Sequence, residues 1–215
     1  MKIINTENEW NSFLLPYTFA MAELKTKISI MNQEANLLKY YNPIEHINIR
    51  LKELESILNK LERKNLEPTL ENAEKYLHDI IGIRITCCFE EDIYYMANLL
   101  KKRADLKVVE LKDYIKNPKP NGYKSLHVIV KIPLVLSTRQ KDIFAEIQLR
   151  TLAMDFWASL EHKLYYKHEG NIPDYLKHDL YEAAQAAATL DKRMNIIRKE
   201  INNIQDGYEQ IFLPS

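Results

Sequence analysis

The run Ile80-Ile-Gly-Ile-Arg-Ile-Thr-Cys-Cys-Phe89 constrains the fold more than any other segment. It is dense in β-branched and apolar residues and, with Gly82 inside it, too short for a well-formed core helix, so it predicts a buried strand. A second strand over Ile143–Leu149 leads through Glu146-Ile-Gln-Leu-Arg150. Its side chains alternate, so Ile147 and Leu149 point into a core while Glu146, Gln148 and Arg150 share the other face. A carboxylate, an amide and a guanidinium fixed on rigid scaffolding suggest a site, although a sheet with one wet face explains the same alternation.

Helical spacing surrounds these strands. Phe13, Tyr17, Met21, Leu24, Ile28, Met31, Ala35 and Leu38 fall at three- and four-residue steps and predict a long N-terminal helix, with Pro16 near its start or kinking it. A second helix is expected from Pro43 to about Lys64, ending before Pro68, and a short third near Glu71 to His78. Asp92 to Arg103 is helical again. Strands follow near Leu106–Leu111 and Leu126–Pro133, the latter forming a hairpin with Ile143–Leu149 through Ser137–Lys141. Leu152 to Tyr166 returns to helix, and Pro173 opens a last one. There Leu176, Leu180, Ala183, Ala187, Leu190, Met194, Ile197, Ile201 and Ile204 alternate steps of four and three. Such a stripe needs another helix, from the N-terminal helix of the same chain or from a second copy. The expected class is α/β (α+β), a mixed central sheet of about five strands flanked by helices, with helical extensions at both ends.

The 215 residues carry 30 basic and 30 acidic side chains, so no global field draws the chain to a polyanion, and any polyanion site must be local. Cys87 and Cys88 are neighbours that would bridge only with strain, and they read as reduced thiols of a cytoplasmic protein. Met1 to Trp10 holds no apolar stretch suited to a signal sequence or a membrane span.

Chemistry is concentrated in three places. With the second helix taken from Pro43, Lys52, Ser56, Lys60 and Arg63 line up opposite Leu54, Ile57, Leu58 and Leu61. That row is either a solvated cationic face or a phosphate rail suited to a triphosphate tail. Arg50 falls off the row and would act separately, for instance by stacking on a base. Asp79 stands just before the Ile80 strand. It is either a turn residue or, paired in space with Glu146, half of a two-carboxylate seat for Mg2+ whose other ligands come from phosphates. The loop Lys112 to His127 interleaves Lys112, Lys116, Lys119 and Lys124 with Tyr114 and Tyr123, a pattern that suits a nucleotide or single-stranded RNA. The dipeptides His78-Asp79 and His178-Asp179 have no second matching set for a metal hydrolase.

Five segments in this order, Arg50-Leu-Lys52, Asp79-Ile-Ile-Gly-Ile-Arg84, Lys119-Pro-Asn-Gly-Tyr-Lys-Ser-Leu-His127, Glu146-Ile-Gln-Leu-Arg-Thr151 and Met154-Asp-Phe-Trp-Ala-Ser-Leu-Glu-His162, resemble the synthetase domain of the RelA/SpoT family. The resemblance spans residues 43–170 and is greatest to the stand-alone members, the small alarmone synthetases. It implies a nucleotidyltransferase-like synthetase fold over 43–170, a helical extension over 1–42, and a packing or oligomerisation helix over 171–215. It further implies a pyrophosphokinase that moves the β,γ-diphosphate of ATP to the 3′-hydroxyl of GDP or GTP, releasing AMP, and assembles as a homotetramer.

By the same resemblance Asp79 and Glu146 hold Mg2+, with Glu146 placed to take the proton of the attacking hydroxyl. Arg50 and Arg84 hold adenine, and Lys52, Ser56, Lys60 and Arg63 follow the ATP phosphates. Tyr123 stacks on guanine, with Lys112, Lys119, Lys124, His127, Gln148 and Asp155 around the acceptor. Lys124 and Leu126 depart from the Arg and Tyr expected there, and Lys keeps the charge without the bidentate fork. The alternatives are a nucleotidyltransferase attacking the α-phosphorus and a single-stranded RNA-binding module. A regulatory nucleotide stays open as a further partner.

Overall fold

The computed structural model describes residues 5–39, 41–167 and 173–212. Helix α1 (Glu7–Leu37) starts at Thr6, whose hydroxyl accepts from the Glu9 amide at 3.3 Å while the Glu9 carboxylate accepts from the Thr6 amide at 2.7 Å. This reciprocal pair satisfies two backbone donors at the helix start. Pro16 lies inside the helix.

The segment expected as one helix from Pro43 to Lys64 is two elements. His46–Leu51 is a strand, β1, and helix α2 begins only at Leu54, ending at Arg63. Ile47, Ile49 and Leu51 alternate with His46, Asn48 and Arg50, a period of two that serves strand pairing. The three- and four-residue spacing of Leu54, Ile57, Leu58 and Leu61 belongs to α2 alone. Lys52 therefore precedes the helix rather than riding on it.

Helix α3 (Leu70–Tyr76), strand β2 (Ile81–Cys87), helix α4 (Glu90–Lys102), strands β3 (Lys107–Asp113), β4 (Leu126–Val135) and β5 (Gln140–Thr151), and helices α5 (Leu152–Lys167) and α6 (Asp174–Phe212) complete the chain. The expected elements are present here with shifted ends. The expected boundary at 170–171 lies outside the described residues.

The five strands form one mixed sheet in the order β1-β2-β5-β4-β3, parallel at β2–β5 and antiparallel elsewhere. Its register sorts the two faces. On one, Ile49, Ile83, Ile147 and Val128 pair across four strands. Trp10, Tyr17, Leu24 and Ile28 of α1 and Ile93, Met96 and Leu100 of α4 join them in a single buried core. The N-terminal helix, expected as an extension, thus shares the core of the sheet. On the other face Asn48, Arg84, Gln148, His127 and Lys112 form one row that crosses all five strands. Period-two alternation places the whole polar row opposite the core.

Helix α6 packs on α5 and α4. It does so with Ala184, Ala188, Asp191 and Arg198, one position round from the apolar stripe, and Leu190 remains 55% and Ile204 58% exposed. The guanidinium of Arg198 meets buried Asp92 at 2.9 Å and lies over the rings of Tyr41 and Phe89 at 4.6 and 4.4 Å. Asp92 also accepts from the Tyr41 hydroxyl (2.7 Å) and the Phe89 amide (3.2 Å).

Arg198→Ala leaves the Asp92 carboxylate buried with only its neutral donors. It is expected to destabilise the fold by about 3 kcal/mol, the low end for breaking a buried pair. Urea unfolding at matched protein concentration measures this, and a change within experimental error would show that the pair does not fasten α6.

Candidate active site

The polar face carries a cleft lined by Asn48 and Arg50 of β1, Asp79, Gly82 and Arg84 of β2 and its entrance, and Glu146 and Gln148 of β5. Parallel pairing opposes Gly82 to Glu146 and Arg84 to Gln148, while antiparallel pairing opposes Arg50 to Gly82. The Arg50 side chain lies across Gly82, where a β-carbon would meet its Cγ at 3.6 Å in ordinary van der Waals contact.

Asp79 is held from two sides. Its Oδ2 accepts from Lys52 Nζ and from Lys60 Nζ, each at 2.5 Å, the first from the β1–α2 connection and the second from α2. Burial raises the Asp79 carboxyl, but the two ammonium groups outweigh it and leave the pKa below the ordinary carboxylate value. The Lys52 pKa is lowered as well: its burial, with the neighbouring charges of Lys60 and Arg50, outweighs the attraction of Asp79 and weakens its hold on a proton. Asp79 Oδ1 is buried and has no hydrogen-bond partner among the described residues.

Glu146 sits in a ring of hydrogen bonds. Its Oε1 meets His127 Nδ1 at 3.0 Å and its Oε2 accepts from Gln148 Nε2 at 2.7 Å. His127 Nε2 lies 2.8 Å from the Tyr123 hydroxyl, which accepts from Arg150 Nη2 at 2.7 Å. The same Nη2 reaches Gln148 Oε1 at 3.0 Å and closes the ring. Since Arg150 donates to Tyr123, the hydroxyl proton is available to His127 Nε2, and a neutral imidazole then donates from Nδ1 to Glu146. This tautomer is assigned by the network. Burial raises the Glu146 carboxyl, the hydrogen bond and electrostatic attraction of His127 together with the Gln148 bond lower it by more, and the nearby Asp79 charge opposes them. The net shift is downward.

Asp155, at the start of α5, accepts from Arg150 Nη1 and forms an ion pair with Arg84 Nη1, both at 3.0 Å. Thus Asp79, Glu146, Arg50, Arg84, Gln148, Lys52 and Lys60 converge, joined through the ring by His127, Tyr123 and Asp155. Lys119 lies 4.8 Å from the centre of the Tyr123 ring and 5.0 Å from that of Tyr114.

Other expected residues stand apart. Ser56 is exposed and Arg63 turns its Nε to the Asn59 carbonyl of its own helix at 3.3 Å. Of the expected row, Ser56, Lys60 and Arg63 lie on α2 while Lys52 precedes it, and Lys52 and Lys60 are the two that meet at Asp79. Lys112 pairs with Glu110 at 3.3 Å, and Lys124 lines a small cavity against Ala184, Ala187 and Ala188 of α6. Two members lay unassigned in the sequence. Arg150 is visible on the polar face of its strand without a role assigned to it, and Asn48 lies inside a segment whose spacing predicts a helix.

A pair of carboxylates in a cleft rimmed by cations suits a divalent ion whose remaining ligands come from substrate oxygens. The unpartnered Oδ1 of Asp79 and the spare lone pairs of Glu146 fit such an ion. Among the described residues, no three His, Cys, Asp or Glu side chains gather into an all-protein cage.

Comparison with known proteins agrees with this geometry. The family described as a region found in RelA / SpoT proteins matches residues 49–171. The chain is 51% identical over 194 residues to the GTP pyrophosphokinase YwaC of Bacillus subtilis, covering 90% of this chain and 92% of that one. Its structure is similar to that of small alarmone synthetase 1 from Bacillus subtilis bound to its product pppGpp. The TM-score is 0.87 at 41% identity, over 91% of this chain and all of that one (100%). A GTP pyrophosphokinase family protein from Streptococcus pneumoniae matches with TM-score 0.85 at 38% identity, over 98% of this chain and 100% of the other.

The hydrogen bonds to Glu146 can be titrated. Its folded-state pKa is lowered, so the stability it contributes is present above the ordinary carboxylate value and is lost as pH falls through the folded one. By carbon-13 NMR the Glu146 carboxyl should titrate below 4.5, and His127→Phe, which deletes the foremost stabilising bond, should move the midpoint up. An unmoved midpoint would dissociate His127 from Glu146.

Proposed function

The chain belongs to the RelA/SpoT family, and from that premise we propose that it is a stand-alone alarmone synthetase, a GTP pyrophosphokinase that makes ppGpp or pppGpp from ATP and GDP or GTP. The observation that carries this reading is the convergence of Asp79 and Glu146 with Arg50 and Arg84 in one cleft. In the reaction the 3′-hydroxyl oxygen of the acceptor forms a bond to the β-phosphorus of ATP. The bond from that phosphorus to the oxygen bridging the α-phosphorus breaks, and AMP leaves with that oxygen. The proton of the attacking hydroxyl passes to Glu146, whose lowered pKa keeps it ionised at neutral pH.

Such transfers depend on charge neutralisation and in-line positioning more than on covalent chemistry. Lys52 and Lys60 stand where the ATP phosphates would lie, with Ser56 and Arg63 further along α2, and Arg50 and Arg84 offer planar guanidinium groups to adenine. Tyr123 offers its ring to guanine, with Lys119, His127 and Gln148 around it and Lys112, Lys124 and Asp155 behind. Asp79 and Glu146 would hold Mg2+, which when bound supplies positive charge to the polyphosphate.

Among the described residues no helix is long and apolar enough to cross a membrane, and we place the enzyme in the cytoplasm. The exposed stripe of α6 supports a contact with a second copy, and the resemblance to the small alarmone synthetases extends this reading to a homotetramer.

Purified protein given ATP, GDP and Mg2+ should release AMP and a guanosine 3′-diphosphate; pyrophosphate without AMP would refute the assignment. Asp79→Asn and Glu146→Gln should each slow turnover by about 100-fold or more with unchanged circular dichroism. A near-native rate at saturating Mg2+ removes that residue from the site. Light scattering should give a tetramer mass for the intact protein and a smaller mass for the variant carrying Leu190→Lys and Ile197→Lys. A monomer mass for the intact protein at micromolar concentration contradicts the assembly.

A further inference from the structure

Two contacts reach from α6 to the side of the cleft that carries Tyr123, and no substrate role uses either. The first is at Gly122, which has φ +87°, in the loop that carries Tyr123. A β-carbon placed on Gly122 would lie 2.6 Å from Ala184 Cβ, so the loop backbone is seated directly on α6. Tyr123 itself packs against Trp157, Ala158 and Ala184, and the Trp157 indole donates to the Leu180 carbonyl of α6 at 2.8 Å.

The second contact is at the end of β5. Thr151 is fully buried, and its hydroxyl donates to Asp191 Oδ2 of α6 at 2.7 Å while accepting from the Met154 amide at 3.1 Å. The hydroxyl thus caps the first turn of α5 with its lone pair, and Asp191 orients it by taking its proton. Thr151 follows Arg150, whose guanidinium holds the Tyr123 hydroxyl. Asp191 is only 6% exposed and burial raises its carboxyl pKa, so this position calls for an acceptor oxygen more than for a charge.

We propose that Ala184 and Asp191 are positioning residues for the acceptor nucleotide. Through Gly122 and Thr151, α6 sets the height of the Tyr123 ring and the anchor of its hydroxyl. The ATP side is built from β1, α2, the entrance of β2 and Arg84 within it, whereas Gly122 and Thr151 lead to Tyr123, so a disturbance at α6 falls mainly on acceptor binding. The inference rests on the reading of Tyr123 as the guanine-stacking ring.

The test compares Ala184→Val, Asp191→Ala and Asp191→Asn in the full chain. Calorimetry reads the binding of GDP and of ATP separately, and KM for each substrate is taken alongside. Ala184→Val and Asp191→Ala should each weaken GDP binding about tenfold and ATP binding less than threefold, since small misplacements at a recognition site are costly. Asp191→Asn keeps the acceptor oxygen and should bind GDP as the unaltered chain does. Equal losses for both nucleotides, no loss with Ala184→Val, or failure of Asn to restore GDP binding would each overturn the proposal. If Asp191→Ala does not fold, Ala184→Val and Asp191→Asn decide by the same criteria. AMP formation by the unaltered chain tests the synthetase assignment independently, because the binding measurements need no turnover.

Discussion

Arg150 is a guanidinium that is 5% exposed, and the arrangement of the cleft follows from the partners that its two terminal nitrogens draw in, while its Nε has none among the described residues. A buried charge is tolerated only when paired and hydrogen-bonded, so Asp155 must face it as an ion and Tyr123 and Gln148 must face it with oxygens. Each demand orients a neighbour. Turning the Tyr123 oxygen to Arg150 leaves its proton for His127, and turning the Gln148 carbonyl to Arg150 leaves its amide for Glu146. A lysine there would keep the charge but lose the planar fork that serves three partners from fixed directions. The carboxylate proposed as base is thus oriented, through Gln148 and His127, by a guanidinium four positions along its own strand.

Electrostatic balance in the other half of the cleft is different in kind. Two ammonium groups share one carboxylate oxygen of Asp79, so the local sum is positive although the whole chain carries no net charge. A polyphosphate entering here meets cations already gathered by the acid that would help to hold its metal. The chain therefore reconciles zero net charge with a polyanion site by concentrating like charges around a buried acid of opposite sign.

Much of this was legible in the residues. The dense β-branched run at Ile80 and the alternation at Glu146 give β2 and β5, and the ordered motifs point to the family because their spacing reflects one surface of one sheet. What could not be read was β1. Ile47, Ile49 and Leu51 offer a period of two over too few residues, and the strongly helical spacing after Leu54 extends backward over them when the partner strand is unknown. That error put Lys52 on a helix and hid Asn48. The packing face of α6 is not legible for a related reason: the apolar stripe is the more conspicuous pattern, yet close packing on α5 and α4 uses small residues and the buried acid Asp191 one position round from it. Arg150 could be placed on its face, but its role depends on partners from a distant loop and from α5.

The single parallel pairing, β2 with β5, has a consequence for the order in which the molecule assembles. Its partners, such as Gly82 and Glu146, are separated by roughly 60 residues, and closing so long a loop is unfavourable until the pairing is made. The β4–β5 hairpin is local and can form as soon as both strands exist, whereas β2 must wait for it. On a ribosome, the two carboxylates remain strangers until β5 has cleared the exit tunnel. A truncated nascent chain lacking β5 would have the lysines and Asp79 but no second acid, and no means of transferring a diphosphate before the sheet is complete.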